Sequence, residues 1–128
     1  MRQALISKQL TAPLFRYSQL IKAGPNYFCS GMIALDNDSG KLYEGDSGEQ
    51  TRKIFKNLKI LMQEFSLALD NLVSVRIFST KFDQFPLINQ AWEEVFTEGI
   101  VPPVRAAVGV SELPVNALVE IEFLFYKE

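Results

Sequence analysis

The chain has 128 residues, 48% of them hydrophobic and 12% aromatic, which is enough apolar material for one compact domain spanning residues 1–128. Its 13 Lys and Arg against 15 Asp and Glu give a net charge of −2 and a pI of about 5.2, which argues against the basic footprint of a nucleic-acid binder. With no histidine and a single cysteine, Cys29, the chain has no means to build imidazole metal sites, Ser-His nucleophile pairs, a structural zinc site or an intrachain disulfide.

The same composition leaves acid–base chemistry to carboxylate, tyrosine, lysine or water. The unpaired cysteine suits a reducing compartment. No stretch reaches the length of a membrane span, and the amino terminus MRQALISKQL lacks an apolar signal core. The expectation is a soluble cytoplasmic protein, with the mildly basic start leaving room for a short organelle address.

In chain order, Ala4–Ser7 reads as a short strand before a Thr-Ala-Pro break. Gln19–Ala23 and Tyr27–Gly31 flank Gly24-Pro25-Asn26 and predict a hairpin. Asp36–Gly40, DNDSG, predicts a turn. A first helix is expected from Ser47, with Ser47 and Gln50 fitting a capping box. Ile54, Phe55, Leu58, Leu61, Met62 and Phe65 form its apolar stripe. Leu72–Thr80 predicts a strand with Val73, Val75 and Ile77 on one face. The second helix is expected to start at Asp83 as N-cap, with Pro86 in its first turn and Gly99 as C-terminal cap. Its stripe of Ile88, Ala91, Trp92, Val95 and Phe96 reads as core. The predicted class is α+β, with two helices on one face of a mixed sheet.

Two further strands close the chain. Val104–Val110 puts Val104, Ala106, Val108 and Val110 on one face and Arg105, Ala107 and Gly109 on the other. Leu118–Tyr126 sets Val119, Ile121, Phe123 and Phe125 against Glu120 and Glu122. One arginine and two glutamates thus interrupt hydrophobic strands, where a charge must be paired, solvated at a cleft or in use. Because several strands are apolar on both sides, helices on one face leave a second apolar face open, which predicts self-association.

Two readings stand for each charge. Arg105 either pairs with Glu120 or Glu122 on a neighbouring strand, or holds a substrate carboxylate through its planar fork. Ala107 and Gly109 on the same face carry little side chain and leave room beside Arg105 for a ligand. Glu120 is a paired surface charge or a general base. Tyr17 packs, or donates its hydroxyl to a ligand. Ser30-Gly31 is a strand end, or a close backbone approach to a ligand. Cys29 reads as core, since no histidine exists to activate it.

The residues also carry a resemblance. YSQ at Tyr17–Gln19, KAG at Lys22–Gly24 and SG-IALD at Ser30–Asp36 are followed by EQT and NLK in the first helix. FP-IN--WEEVF in the second helix, PPVRAAV and ELP-NALVEIE complete the pattern almost end to end. In these segments the chain resembles the RidA (YjgF) family of reactive-intermediate deaminases, whose older names include endoribonuclease and translation inhibitor.

The resemblance implies a chorismate-mutase-like fold, a homotrimer with sites between subunits, and hydrolysis of 2-imino and 2-enamino acids without cofactor or metal. Substrates of this kind are 2-aminoacrylate with its imine 2-iminopropanoate, and 2-iminobutanoate. Carried over residue by residue, Arg105 would hold the substrate carboxylate and Glu120 would activate the attacking water. Tyr17, Ser30, Gly31 and Asn89 would shape the pocket, and the backbone at Ala107 would help bind substrate. The chain departs from the family pattern at Phe15-Arg16, where Gly-Pro is common, at Met32-Ile33-Ala34, and at Ala106-Ala107. Two alternatives stand beside the deaminase: a non-catalytic binder of small 2-keto acids using the same arginine, and an RNA-cleaving or translation-inhibiting protein. The acidic pI counts against the last.

Overall fold

Alternating apolar positions build six strands and helical spacing builds two long helices, in a computed structural model that describes residues 1–128. The order is β1 Gln3–Leu5, β2 Leu20–Ala23, β3 Asn26–Met32, α1 Ser47–Glu64, β4 Leu72–Ser79, α2 Phe85–Val95, β5 Val104–Gly109 and β6 Val119–Tyr126. The strands form one sheet in the order β1-β2-β3-β6-β4-β5. Every neighbouring pair is antiparallel except β4 and β5, which run parallel because α2 carries the chain back between them. The predicted α+β class with both helices on one face of a mixed sheet is the observed one.

Phe55 of α1 shows how the layers lock. Its ring meets Trp92 and Phe96 of α2 edge-on at 6.0 and 5.9 Å, and Phe123 of β6 at 5.7 Å. Val119, Ile121, Phe123 and Phe125 are buried beneath the helices, so Glu120 and Glu122 point to the sheet's other face. That outer face carries Phe28, Val104, Val108 and Tyr126, all substantially exposed. The open apolar face expected from the strand pattern is present.

The hairpin forms with a two-residue loop, Ala23 pairing with Asn26. Gly24 takes φ +60°, the first-position conformation of a type II′ turn. In the Asp36–Gly40 turn the Asp36 carboxylate accepts from the backbone N–H groups of Asp38 and Ser39 at 2.9 and 3.0 Å. These two donors, Ser39 first, hold the Asp36 pKa below its ordinary value.

Several expected details are corrected. The capping box of α1 belongs to Asp46 and Glu49: the Asp46 carboxylate accepts from the Glu49 N–H at 2.8 Å, and Glu49 reaches back to the Asp46 N–H at 3.2 Å. Ser47 and Gln50, one residue later, work across elements instead. Ser47 donates through its N–H and hydroxyl to Gln84 Oε1 at 3.0 and 2.7 Å. Gln50 Oε1 accepts from the Leu118 N–H at 3.0 Å, fixing the start of β6. Asp83 does not cap α2, because Phe82–Gln84 forms a 3₁₀ turn that feeds into the helix without a side-chain cap. Gly99, with φ +95°, lies beyond the helix end at Phe96 and serves the following turn. Val73 does not share a face with Val75 and Ile77. Leu72 pairs with Phe125 and Ser74 with Leu124, so Val73 is the extra residue of a bulge and is pushed outward.

Candidate functional site

The antiparallel ladder between β3 and β6 breaks once, and it breaks at the residues singled out above. Cys29 pairs with Phe123 and Met32 with Ile121, so Ser30-Gly31 is a bulge set against the Glu120–Glu122 stretch. The bulge brings the backbone of Gly31 against the Glu120 carboxylate. A methyl group at Gly31 would lie 2.1 Å from Glu120 Oε2, so only glycine leaves that oxygen where it is.

Tyr17 reaches the same place through the segment before β2. The Ser30 N–H donates to the Gln19 carbonyl at 3.0 Å, and the Ser30 hydroxyl donates to the Ser18 carbonyl at 2.5 Å. Gln19 accepts from the Ser7 N–H at 2.9 Å and donates to the Thr11 carbonyl at 3.0 Å, tying down the chain on both sides of Tyr17. Ser30 therefore holds the 17–19 segment in place. Tyr17, Ser30, Gly31 and Glu120 line one open cavity of about 1350 Å³, walled also by Phe15, Met32 and Val115.

Glu120 has no cation partner within the chain. The two ion pairs are Arg52 with Glu94 and Arg76 with Glu122, the latter at 3.0 Å directly across β4 and β6. Burial, with repulsion from Glu122 as the smaller cause, raises the Glu120 pKa above the ordinary carboxylate value. Such a group holds a proton more readily and gives a stronger base once it is lost. Cys29 lines the cavity wall, but burial pushes its thiol up to about 12, so it stays protonated and unreactive.

Arg105 lies elsewhere. It sits on β5, two strands from Glu120 and on the helix-covered face, so the carboxylate and the guanidinium are on opposite sides of the sheet and separated by at least ~10 Å. The ion pair with Glu120 or Glu122 weighed from the sequence does not form. Instead Arg105 Nη1 donates to Asn89 Oδ1 at 2.8 Å. The guanidinium carbon stands 5.3 Å from the centre of the Phe85 ring and 4.9 Å from that of Trp92. Nε and Nη2 make no hydrogen bond within the chain. They form the edge with which Arg52 grips Glu94 at 2.8 and 2.7 Å, so Arg105 presents an empty carboxylate fork.

The space expected beside Arg105 is filled. Ala107 packs against the core, and a methyl group at Gly109 would sit 3.7 Å from the Phe82 ring. These small residues admit the turn before α2, and the guanidinium opens outward at the sheet edge. The chain thus gathers Tyr17, Ser30, Gly31 and Glu120 into one cluster, and Arg105, Asn89 and the β5 edge at Ala107 into another. The sequence reading assigned the α2 aromatics to the core, and Trp92 is in it with Phe85 packed against it, but their contact with Arg105 went unread. Their spacing with Asn89, at positions i, i+4 and i+7, would have placed all three on one helix face.

A mixed six-stranded sheet backed by two helices, with the Glu120 carboxylate in a cleft free of any ion pair and an open arginine fork at the sheet edge, defines the class. The profile of the family described as endoribonuclease L-PSP matches residues 7–126. A RutC family protein of Pyrococcus horikoshii is 34% identical over 128 residues, covering 100% of both chains. A 2-iminobutanoate/2-iminopropanoate deaminase of Dermatophagoides farinae is 34% identical over 110 residues, covering 86% of this chain and 84% of that one. The crystal structure of a Rid family protein of unknown function from Yersinia pestis superposes with a TM-score of 0.92 at 31% identity, covering 98% of this chain and 99% of that one. The chain belongs to this family, RidA or YjgF, as the sequence resemblance indicated.

Proposed function

We propose that this protein is a cytoplasmic deaminase that hydrolyses small 2-imino and 2-enamino acids, such as 2-iminopropanoate and 2-iminobutanoate, to 2-keto acids and ammonia. The observation that carries the reading is a half-buried carboxylate, Glu120, without a cation, and an arginine, Arg105, held by α2 with its carboxylate fork open. In a homotrimer the outer apolar face of the sheet is covered, and the edge of one subunit meets the cavity of the next. Arg105 of one copy then faces Glu120 of its neighbour, and a 2-imino acid fits between them.

The chemistry follows from the two groups. Arg105 fixes the substrate carboxylate, which orients the adjacent imine carbon. Glu120 takes a proton from water as its oxygen attacks that carbon of the nitrogen-protonated imine, giving a neutral carbinolamine. The protonated carboxyl then returns the proton to the amino nitrogen; as the C–N bond breaks, the hydroxyl oxygen becomes the carbonyl and its proton leaves with ammonia as ammonium, freeing the 2-keto acid and the Glu120 carboxylate. A carboxyl with a raised pKa suits both transfers. The relative from Dermatophagoides farinae that is named for this reaction supports the reading.

The test is to generate 2-aminoacrylate in place with a dehydratase and follow loss of the imine with and without the protein. Faster loss, abolished by Glu120→Gln, is expected. Pyruvate binding without faster loss would replace catalysis by binding. RNA cleavage by a Glu120-dependent activity would favour the older family name instead.

A further inference from the structure

We infer that Trp92, with Phe85, is a positioning residue that aims the Arg105 fork at the substrate carboxylate, an inference that rests on the assignment of Arg105 as the carboxylate clamp. Arginine carries five N–H donors on a flexible stem, and an exposed one ordinarily samples many rotamers. Arg105 is exposed at the edge of the sheet, yet three side chains of α2 hold its head. Asn89 takes one Nη1 proton at 2.8 Å, while the rings of Phe85 and Trp92 lie 5.3 and 4.9 Å from the guanidinium carbon.

The three contacts divide the work. Asn89 binds on the Nη1 side, which fixes rotation in the guanidinium plane and leaves the Nε and Nη2 edge open. The aromatic rings offer their negative faces to the cation and restrict its tilt. The rings are themselves anchored. Phe85 packs against the core and stacks on the exposed ring of Phe82 at 4.8 Å with 6° between planes, and Trp92 is buried and packs edge-on against Phe55 at 6.0 Å. Rigidity in the core is thereby passed to an exposed cation. A clamp aimed before substrate arrives loses less side-chain entropy on binding.

A loosened fork still orients the imine carbon once it has closed on the carboxylate, and the cost of ordering it falls on binding, so loss of aim should raise KM and leave kcat nearly unchanged. The experiment measures pyruvate affinity by calorimetry, together with kcat and KM for 2-aminoacrylate-derived imine. It compares the parent with Trp92→Phe, Trp92→Leu, Phe85→Leu, Arg105→Lys and the double variant Trp92→Leu/Arg105→Lys. Trp92→Phe keeps a ring face and should bind pyruvate within about threefold of the parent. Trp92→Leu should weaken pyruvate binding and raise KM by about tenfold, with kcat within about threefold. Phe85→Leu, which leaves Trp92 and its core contacts in place, should shift affinity the same way and decides the matter if Trp92→Leu fails to fold.

In the Arg105→Lys background the Trp92 substitution should cost nothing further, because the group it positions is gone. Equal losses in Trp92→Phe and Trp92→Leu, or unchanged affinity in folded Trp92→Leu and Phe85→Leu, would overturn the inference while leaving the clamp intact. If Arg105→Lys binds pyruvate as well as the parent, the clamp assignment itself falls.

Discussion

Glu120 is the residue on which the proposed chemistry turns, and its setting yields two tests. Gly31→Ala would put a methyl group 2.1 Å from Oε2, but the obstacle is the tip of a flexible side chain. The carboxylate should swing aside at little cost to folding and leave the position from which the proposed reaction has it activate water. Imine hydrolysis should fall by about 10²-fold, with a melting temperature close to that of the parent. Full activity in Gly31→Ala would show that this position of the carboxylate is not needed. The second test concerns pH. Burial, and secondarily Glu122, raises the Glu120 pKa, so the acid limb of kcat/KM should lie above the ordinary carboxylate value of 4.5. Glu122→Gln removes only the smaller cause, so the limb should move down part of the way; a limb that stays put or moves up would contradict the assignment. The stability effect has its own sign. The folded chain keeps this proton where the unfolded chain has lost it, so the cost of ionising Glu120 is absent below the unfolded value and sets in as pH rises through the folded one.

At the scale of elements, most of the architecture was legible because period and turn chemistry agree. The hairpin at Gly24-Pro25, the α1 stripe from Ile54 to Met62 and the alternation in β6 all needed only local information. The misreadings share one cause: a local pattern admitted two solutions and tertiary contacts chose. Ser47 and Asp46 are both good caps, and Ser47 is drawn away by Gln84. Val73 fits the strand period, but a bulge expels it so that Leu72 can pair with Phe125. The cap itself is open to measurement. Asp46→Ala removes the acceptor for the Glu49 N–H and should cost about 0.5–2 kcal/mol in denaturant unfolding. KM for the imine should not change; an unchanged unfolding midpoint would mean that Ser47 takes over as cap.

For the whole molecule, the site was legible only in part. Motif resemblance named Arg105, Glu120, Tyr17, Ser30, Gly31, Asn89 and Ala107, but not how they are arranged. Strand parity alone left Arg105 and Glu120 free to pair, and it is the sheet order, with β4 between β6 and β5, that parts them. The Arg105–Asn89–Trp92 cluster depends on α2 returning over β5, a packing that no local pattern encodes. The central claim is that the two half-sites come from different copies of the chain. It is tested most directly by co-expressing Glu120→Gln and Arg105→Lys subunits with different tags and purifying trimers that carry both. Each variant alone should be nearly inactive. If a site takes Arg105 from one subunit and Glu120 from the next, every trimer that carries both variants has one intact site of its three, and about a third of parent activity should return. Mixed trimers that stay as inactive as either variant alone would contradict the account.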